Sequence, residues 1–224
     1  VELKGCLCDD CSCDSVMTDR EFLSVELIYN LAKTIDLSLI EPTFKKVIDY
    51  NTAIANEGLT NYYGLSIGKL MKEGIEEGFY GNDLRNNMAS FASAGSDARM
   101  NGCSLPVMTT SGSGNQGMTC SLPVIKFCEL KNLPYEQLIR GLFFSHMTTI
   151  HIKSNIGRLS AYCGAICASA GVAGAISFLS GLSIEQIGYA IETTLGTMSG
   201  VICDGAKSSC ATKIASGISA AFDA

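Results

Sequence analysis

The run LSAYCGAICASAGVAGAISFLSGL, residues 159–182, contains no charged side chain and is built mainly from alanine, glycine and serine. A run of this length could cross the ~30 Å hydrocarbon core of a membrane. Its small side chains, however, give it a modest transfer free energy, and they let neighbouring helix backbones approach closely. We therefore expect a helix buried at the centre of a helical domain, and no membrane span.

Helical periodicity extends through most of the chain, and strand-like alternation of apolar and polar residues is nearly absent. Phe44, Val47, Ile48 and Ile54, for example, fall near one face of a helix. The pattern predicts a mainly α fold with a short irregular or strand-like segment at the N-terminus. The predicted helices cover residues 19–31, a stretch that opens at 38–41, and residues 64–77, 82–100, 118–131, 134–156, 158–180, 183–198 and 204–222.

The composition restricts the class of partner. The 224 residues carry a net charge of −6, which argues against nucleic acid because phosphate binding needs clustered Lys and Arg. Charged residues make up only 17% of the chain and hydrophobic residues 47%, which favours burial in an oligomer, and we expect a homodimer. His146 and His151 are the only histidines, so an all-histidine metal site is excluded.

The eleven cysteines are odd in number, lie mostly in apolar helical contexts and follow no signal peptide. A secreted protein held together by disulfides is therefore disfavoured, and we expect a cytoplasmic protein. Because the sequence starts at Val1 and stops within a helical pattern, we expect a fragment of a longer chain.

A glycine-rich stretch, SGSGNQG at residues 111–117, precedes an apolar helical run. Glycines let backbone amides point at an anion, and a helix N-terminus adds partial positive charge. The stretch therefore predicts a site for a substrate carboxylate or a phosphate, although an ordinary flexible connection has the same composition. It matches neither a Walker loop nor a dinucleotide fingerprint. The candidate binding residues are Ser111, Gly112, Ser113, Gly114, Asn115 and Gln116.

Arg99 lies shortly before this stretch and could clamp a carboxylate with two hydrogen bonds, or simply end a helix in solvent. Asp97 is too close to Arg99 along a helix for the two to share a face. Further along, His151 and Lys153 are candidate catalytic bases, and Arg158 would share a helix face with His151. A lone histidine near an apolar run is more often structural, which is how we interpret His146.

Cys163, Cys203 and Cys210 lie among small residues, and the spacing of seven would place Cys203 and Cys210 on the same helix face. Three thiolates can hold an iron–sulfur cluster and leave one iron free. A second group, Cys6, Cys8, Cys11 and Cys13, could bind zinc, but its C-x-C pairs are tighter than a zinc knuckle. A solvated loop is the alternative for that group.

Taken together, these motifs resemble the L-cysteine desulfidase family, which is related to the α-chain of iron–sulfur L-serine dehydratases. They are residues 94–103 (AGSDARMNGC), 111–117, 151–153 (HIK), 157–164 (GRLSAYCG) and 203–207 (CDGAK). The resemblance runs from about Ile35 to the end. It implies that residues 35–224 form a multi-helix catalytic domain, truncated at its C-terminus. It also implies that residues 1–34 are a linker or the end of a preceding region, with a cysteine-rich loop.

The resemblance further implies a 4Fe–4S cluster held by Cys163, Cys203 and Cys210, without pyridoxal phosphate. The activity it implies is β-elimination on L-cysteine, with L-serine dehydration as the alternative. A family segment with another functional cysteine, followed by Thr-Glu-Pro, is not in this sequence. Two other hypotheses stay open: a pyridoxal-phosphate lyase that binds phosphate at the glycine-rich stretch, and a non-catalytic, thiol-rich metal-binding subunit.

Overall fold

The computed structural model describes residue 20, residues 22–157 and residues 160–224. These ranges fold into α-helices with no named strand, which confirms the predicted mainly α class. The helices are α1 Val25–Thr34, α2 Leu37–Thr60, α3 Ile67–Glu76, α4 Leu84–Met100, α5 Gly114–Leu130, α6 Tyr135–Ile156, α7 Gly164–Leu179, α8 Ile184–Thr197 and α9 Cys210–Asp223.

Helix α7 forms the centre of the bundle, as the uncharged run predicts. Twelve of its sixteen residues are buried, and it packs against α5, α6, α8 and α9. Within the described ranges, no helix combines the length and apolar character that crossing a membrane requires. The uncharged run is therefore interior because other helices of the same chain cover it on several sides.

Small residues in α7 allow neighbouring helices to come close. A Cβ atom added at Gly171 would lie 2.6 Å from the carbonyl oxygen of Ser145 in α6. One added at Gly174 would lie 2.8 Å from the ring of Phe144. Contacts this short leave no room for a side chain, so glycine sets the distance between α6 and α7.

Several helix boundaries differ from those the sequence predicts. Helix α1 begins after Ser24, whose hydroxyl accepts a hydrogen bond from the Leu27 amide, and not near residue 19. Helix α2 begins after Asp36, which accepts from the Ser38 amide, so Pro42 lies within the helix and not in its first turn. Both corrections arise because short polar side chains cap a helix wherever they meet free amides. Gly95 lies inside α4 without interrupting it.

Several helix ends meet at one end of the bundle. The hydroxyl of Ser93 in α4 donates to the carbonyl of Ala211 in the first turn of α9. Arg99, near the end of α4, reaches Asn115 in the first turn of α5. Helix α7 packs along α6 and starts close to where α6 ends. We call the region formed by the C-terminal ends of α4 and α6 and the N-terminal ends of α5, α7 and α9 the site end.

We expect Gly171→Ala to destabilise the protein by about 1–3 kcal/mol, because the new methyl group overlaps the backbone of α6. Gly188→Ala in α8 is the matched control, since nothing lies within 4 Å of a Cβ atom at that position. The control should stabilise the helix by up to about 1 kcal/mol. Urea unfolding of both variants tests the prediction, and equal effects of the two substitutions would contradict it.

Candidate functional site

The glycine-rich stretch forms a tight loop that leads directly into α5. Thr110 and Ser113 pair through two backbone hydrogen bonds, with Ser111 (φ 49°) and Gly112 (φ 85°) between them in the left-handed region. The Ser113 hydroxyl caps α5 by accepting from the Gln116 amide. Helix α5 therefore starts at Gly114, four residues earlier than predicted, and its free amides lie within the glycine-rich stretch.

Arg99 and Asn115, two of the predicted substrate-binding residues, are brought together by this loop. The Nη1 atom of Arg99 donates to Oδ1 of Asn115 over 3.1 Å. The guanidinium lies against Gly114, where an added Cβ would be 2.8 Å from Cζ. Because Asn115 accepts from the guanidinium through its oxygen, its Nδ2 group is turned toward other acceptors. The pair places a cation and an amide donor beside the positive end of α5.

Gln116 connects this loop with the start of α7. Its side chain is buried, and its Oε1 atom would lie 2.8 Å from a Cβ added at Gly164. Gly164 is the residue after Cys163, so the loop and the first predicted cluster ligand are direct neighbours. Only a glycine leaves space for Gln116 at this position.

Four of the eight buried side-chain atoms that have no hydrogen-bond partner within the described part of the chain belong to the glycine-rich stretch and to the two histidines. Buried polar groups in folded proteins are nearly always paired, so such a group of unpaired atoms indicates a bound molecule or ordered water. The atoms are Ser111 Oγ, Gln116 Nε2, His146 Nε2 and His151 Nδ1.

Cys163, Cys203 and Cys210 come from three different local structures. Cys163 is the N-cap residue of α7 and donates its amide to the carbonyl of Val201 over 3.1 Å. Cys203 donates to the carbonyl of Ala161 over 2.7 Å, next to an antiparallel bridge between residues 162 and 202. Cys210 is the first residue of α9. The expectation that Cys203 and Cys210 share a helix face is wrong, because α9 starts only at Cys210.

The three thiols are close enough to influence one another. Burial raises the pKa of the Cys163 thiol, and the thiols of Cys203 and Cys210 raise it further. The Ala165 amide and the ammonium group of Lys213 lower it. Cys163 and Cys210 both lie at helix N-termini.

The three thiols do not form a site for a single metal ion in the described part of the chain. Within the described ranges, no three His, Cys, Asp or Glu side chains are placed to share one ion. In an iron–sulfur cluster each cysteine binds a separate iron, so the sulfur atoms need not meet at a point. The three thiols differ in exposure: Cys163 is buried, Cys210 is half-buried and Cys203 is exposed.

Lys153 and His151, the predicted bases, lie on the last turns of α6. Lys153 is buried, and its Nζ atom donates to the Ser160 hydroxyl over 3.2 Å, close to the segment that carries Cys163. His151 is half-buried, and no described contact links its side chain to the loop or to the thiols.

An apolar cavity of about 190 Å³ lies behind Cys163. Cys167, one turn along α7 from Cys163, also lines it, and the bridge segment contributes Tyr162 and Val201. The buried first turns of α7 are therefore accessible to a small apolar group.

His146 has a closer connection to the glycine-rich loop than the sequence indicates. Its Nδ1 atom lies 2.8 Å from the hydroxyl of Thr110, the residue before Ser111. Burial lowers the pKa of His146 to about 4, so the ring is neutral at physiological pH. Its sequence context, an apolar helical run, carries no signal of this contact, because the contact joins two segments distant in sequence.

Asp97 fixes α3 to α4. Its Oδ2 atom accepts from the Gly68 amide over 2.9 Å, at a helix start where Ser66 makes no side-chain cap. Asp97 and Arg99 form no ion pair, as predicted from their spacing. Burial raises the pKa of Asp97 to about 6, against the lowering effect of the Gly68 and Ile67 amides.

Two groups of predicted site residues lie outside the described ranges. Arg158, predicted to share a face with His151, is one of them. The other comprises the four N-terminal cysteines Cys6, Cys8, Cys11 and Cys13.

The fold and the site define a helical protein with a glycine-rich loop beside three cysteines. The family model described as the serine dehydratase alpha chain matches residues 10–224, and the chain belongs to this family. The predicted relationship to that superfamily is thereby confirmed.

Curated relatives carry the name UPF0597 protein. One from Fusobacterium nucleatum is 66% identical over 218 residues, covering 97% of this chain and 51% of the relative. One from Lachnoclostridium phytofermentans is 48% identical over 210 residues, covering 94% and 49%. The chain thus spans about half the length of these relatives. No solved structure matches it.

We expect Ser111→Gly to stabilise the protein by about 1 kcal/mol, because glycine adopts the left-handed conformation without steric cost. Asn132→Gly is the control: Asn132 has the same φ of 50° but lies in the connection between α5 and α6. Thermal unfolding of both variants tests the prediction, and a Ser111→Gly variant less stable than the wild type would contradict it.

We expect the free energy of unfolding of Asp97→Asn to increase relative to that of the wild type as the pH rises from about 4 to 6. The folded-state pKa of Asp97 (about 6) lies above the ordinary value of 3.8 for this side chain, so ionisation costs the folded state stability through this window. The full gain is up to about 3 kcal/mol, and urea unfolding of the metal-free protein at several pH values measures it. Asp49→Asn, on an exposed position of α2, controls for the lost charge. A pH-independent difference would contradict the prediction.

Proposed function

We propose that this chain catalyses β-elimination on L-cysteine, giving hydrogen sulfide, ammonia and pyruvate, with L-serine dehydration as the alternative activity of the same site. Removal of the α-proton and cleavage of the Cβ–S bond give aminoacrylate and sulfide. Aminoacrylate tautomerises to an imine, and one water molecule hydrolyses the imine to pyruvate and ammonia. Membership of the serine dehydratase alpha chain family supports this class of reaction.

The observation that carries the proposal is the contact between Gln116 and Gly164. It joins the loop suited to a carboxylate with the start of α7, where Cys163 lies. A small amino acid could therefore bind with its carboxylate at the loop and its side chain toward the thiols. The unpaired atoms Ser111 Oγ and Gln116 Nε2 would gain partners in such a complex.

The carboxylate would bind at the N-terminal end of α5. The amide donor of Asn115, which Arg99 orients, and the free amides of the first turn all favour an anion there. Arg99 also supplies a fixed positive charge, which a carboxylate needs as it leaves water.

Cys163, Cys203 and Cys210 would hold the 4Fe–4S cluster. When bound by three cysteines, such a cluster offers one iron as a Lewis acid for the leaving group. The chain contributes Cys163 and Cys210 from the N-terminal ends of α7 and α9, and Cys203 from the segment between α8 and α9. The described cysteines form no disulfides, which agrees with a reducing, cytoplasmic setting.

Lys153 and His151 remain the proposed bases for the α-proton. Lys153 is buried near Ser160 with no carboxylate among its described hydrogen-bond partners. His151 has an unpaired Nδ1 atom within the described ranges. The remaining proposed partner is a second copy of the chain in a homodimer, which the low charged fraction favours.

Sulfide release from L-cysteine and pyruvate release from L-serine, measured on anaerobically reconstituted protein, test the proposal. We expect both products and a higher kcat/KM with L-cysteine. Asn115→Ala should lower kcat/KM by about 10- to 100-fold, because a hydrogen bond to a charged group contributes ~1.5–3 kcal/mol. Asn30→Ala, on the exposed face of α1, should have no effect.

Cluster-loaded protein that releases neither sulfide nor pyruvate contradicts the proposed activity. A higher kcat/KM with L-serine would support the alternative substrate. An aldimine absorbance that borohydride abolishes would instead support a pyridoxal-phosphate enzyme.

A further inference from the structure

Lys213 makes a set of contacts around Cys203 that the proposed function does not yet use. It lies in the first turn of α9, three residues after Cys210. Its Nζ atom donates to the carbonyl of Ile202 over 3.0 Å and forms an ion pair with the carboxylate of Asp204. These two partners flank Cys203 on either side in sequence.

The charge of Lys213 also acts on the other two thiols. Its ammonium group lowers the pKa of Cys163. In turn, the pKa of Lys213 is raised, mainly by the hydrogen bond to Asp204 and also by the thiols of Cys163 and Cys210. The ammonium group of Lys213 therefore lies near all three predicted ligands. It binds the segment that contains Cys203, the most exposed of the three cysteines.

Besides Lys213, few groups restrain the Cys203 segment: the Ser209 hydroxyl donates to Oδ2 of Asp204 over 3.4 Å, and Cys210 Sγ donates to the Gly205 carbonyl over 3.7 Å. Cys203, Asp204 and Gly205 are exposed, and Gly205 has a φ of 95°. The single backbone hydrogen bond from Cys203 to Ala161 holds one edge of the segment. An exposed ligand on a loop is held in a fixed geometry only if neighbouring groups restrain the loop.

We propose that Lys213 is a positioning residue that fastens the Cys203 segment to α9, and so keeps Cys203 next to Cys163 and Cys210. The inference rests on the proposed function, because it assigns these cysteines as cluster ligands. Lys213 itself touches neither substrate nor iron in this role. It restrains a ligand through the carbonyl of Ile202 and the carboxylate of Asp204.

Lys207 provides a matched comparison within the same segment. Its Nζ atom is 4.0 Å from the other carboxylate oxygen of Asp204, and 61% of its side chain is exposed, against 21% for Lys213. Lys207 forms no described hydrogen bond to a backbone carbonyl. An exposed pair of this kind contributes little, so Lys207 should be dispensable where Lys213 is not.

The test compares Lys213→Met, Lys213→Arg and Lys207→Met in anaerobically reconstituted protein. Lys213→Met should release iron to a chelator at least about tenfold faster than the wild type, the usual effect of losing a group that orients a ligand. Lys213→Arg should restore most of the wild-type rate, because a guanidinium can donate to both the carbonyl and the carboxylate. Lys207→Met should behave as the wild type.

Two measurements on the metal-free protein separate positioning from general stability. The melting temperature of Lys213→Met should stay close to that of the wild type, while amide hydrogen exchange should accelerate in the peptide that contains Cys203. Unchanged exchange, or a failure of Lys213→Arg to restore iron retention, would overturn the inference. If the wild type binds no iron, the proposed function fails, and the exchange experiment still decides whether Lys213 holds the segment.

Discussion

The close packing of small residues around α7 is the constraint on which the site depends. Gly171 and Gly174 let α6 approach α7, and Gly164 leaves room for the side chain of Gln116. Because α7 is covered on several sides, its N-terminal turn lies among the ends of other helices. Three helix N-termini therefore face the same region, and their combined dipoles favour negative charge there. The anions proposed for this region are the thiolates of the chain's own cysteines and the carboxylate of a bound ligand.

The site end contains groups that hydrogen bonds hold in place and buried groups that lack a hydrogen-bond partner in the described ranges. The loop before α5 is fixed by the pairing of Thr110 with Ser113 and by the contact of Thr110 with His146. At the same time, Ser111 adopts a backbone conformation that non-glycine residues rarely adopt, and its hydroxyl is buried without a partner in the described ranges. A strained backbone and an unpaired buried hydroxyl both lower the stability of the fold. They persist only where the surrounding structure enforces them, which is common at binding sites.

The sequence predicts the helices better than it predicts the contacts between them. The uncharged run alone identifies the central helix, and Pro134 and Ser183 mark helix starts correctly. The starts of α5, α7 and α9 are missed by four to six residues because capping depends on which amides are free. The contacts of His146 with Thr110 and of Lys213 with Ile202 join segments whose proximity depends on tertiary packing. Periodicity along one helix contains no information about such contacts.

The most direct test of whether Cys163, Cys203 and Cys210 hold one cluster is the amount of iron and acid-labile sulfide that each chain binds after anaerobic reconstitution. The account predicts about four iron and four sulfide ions per chain in the wild type. Cys163→Ser, Cys203→Ser and Cys210→Ser should each lose most of both, whereas Cys167→Ser, one turn along α7, should retain them. A wild type without iron, or a Cys167→Ser variant that loses as much as the other three, would contradict the account.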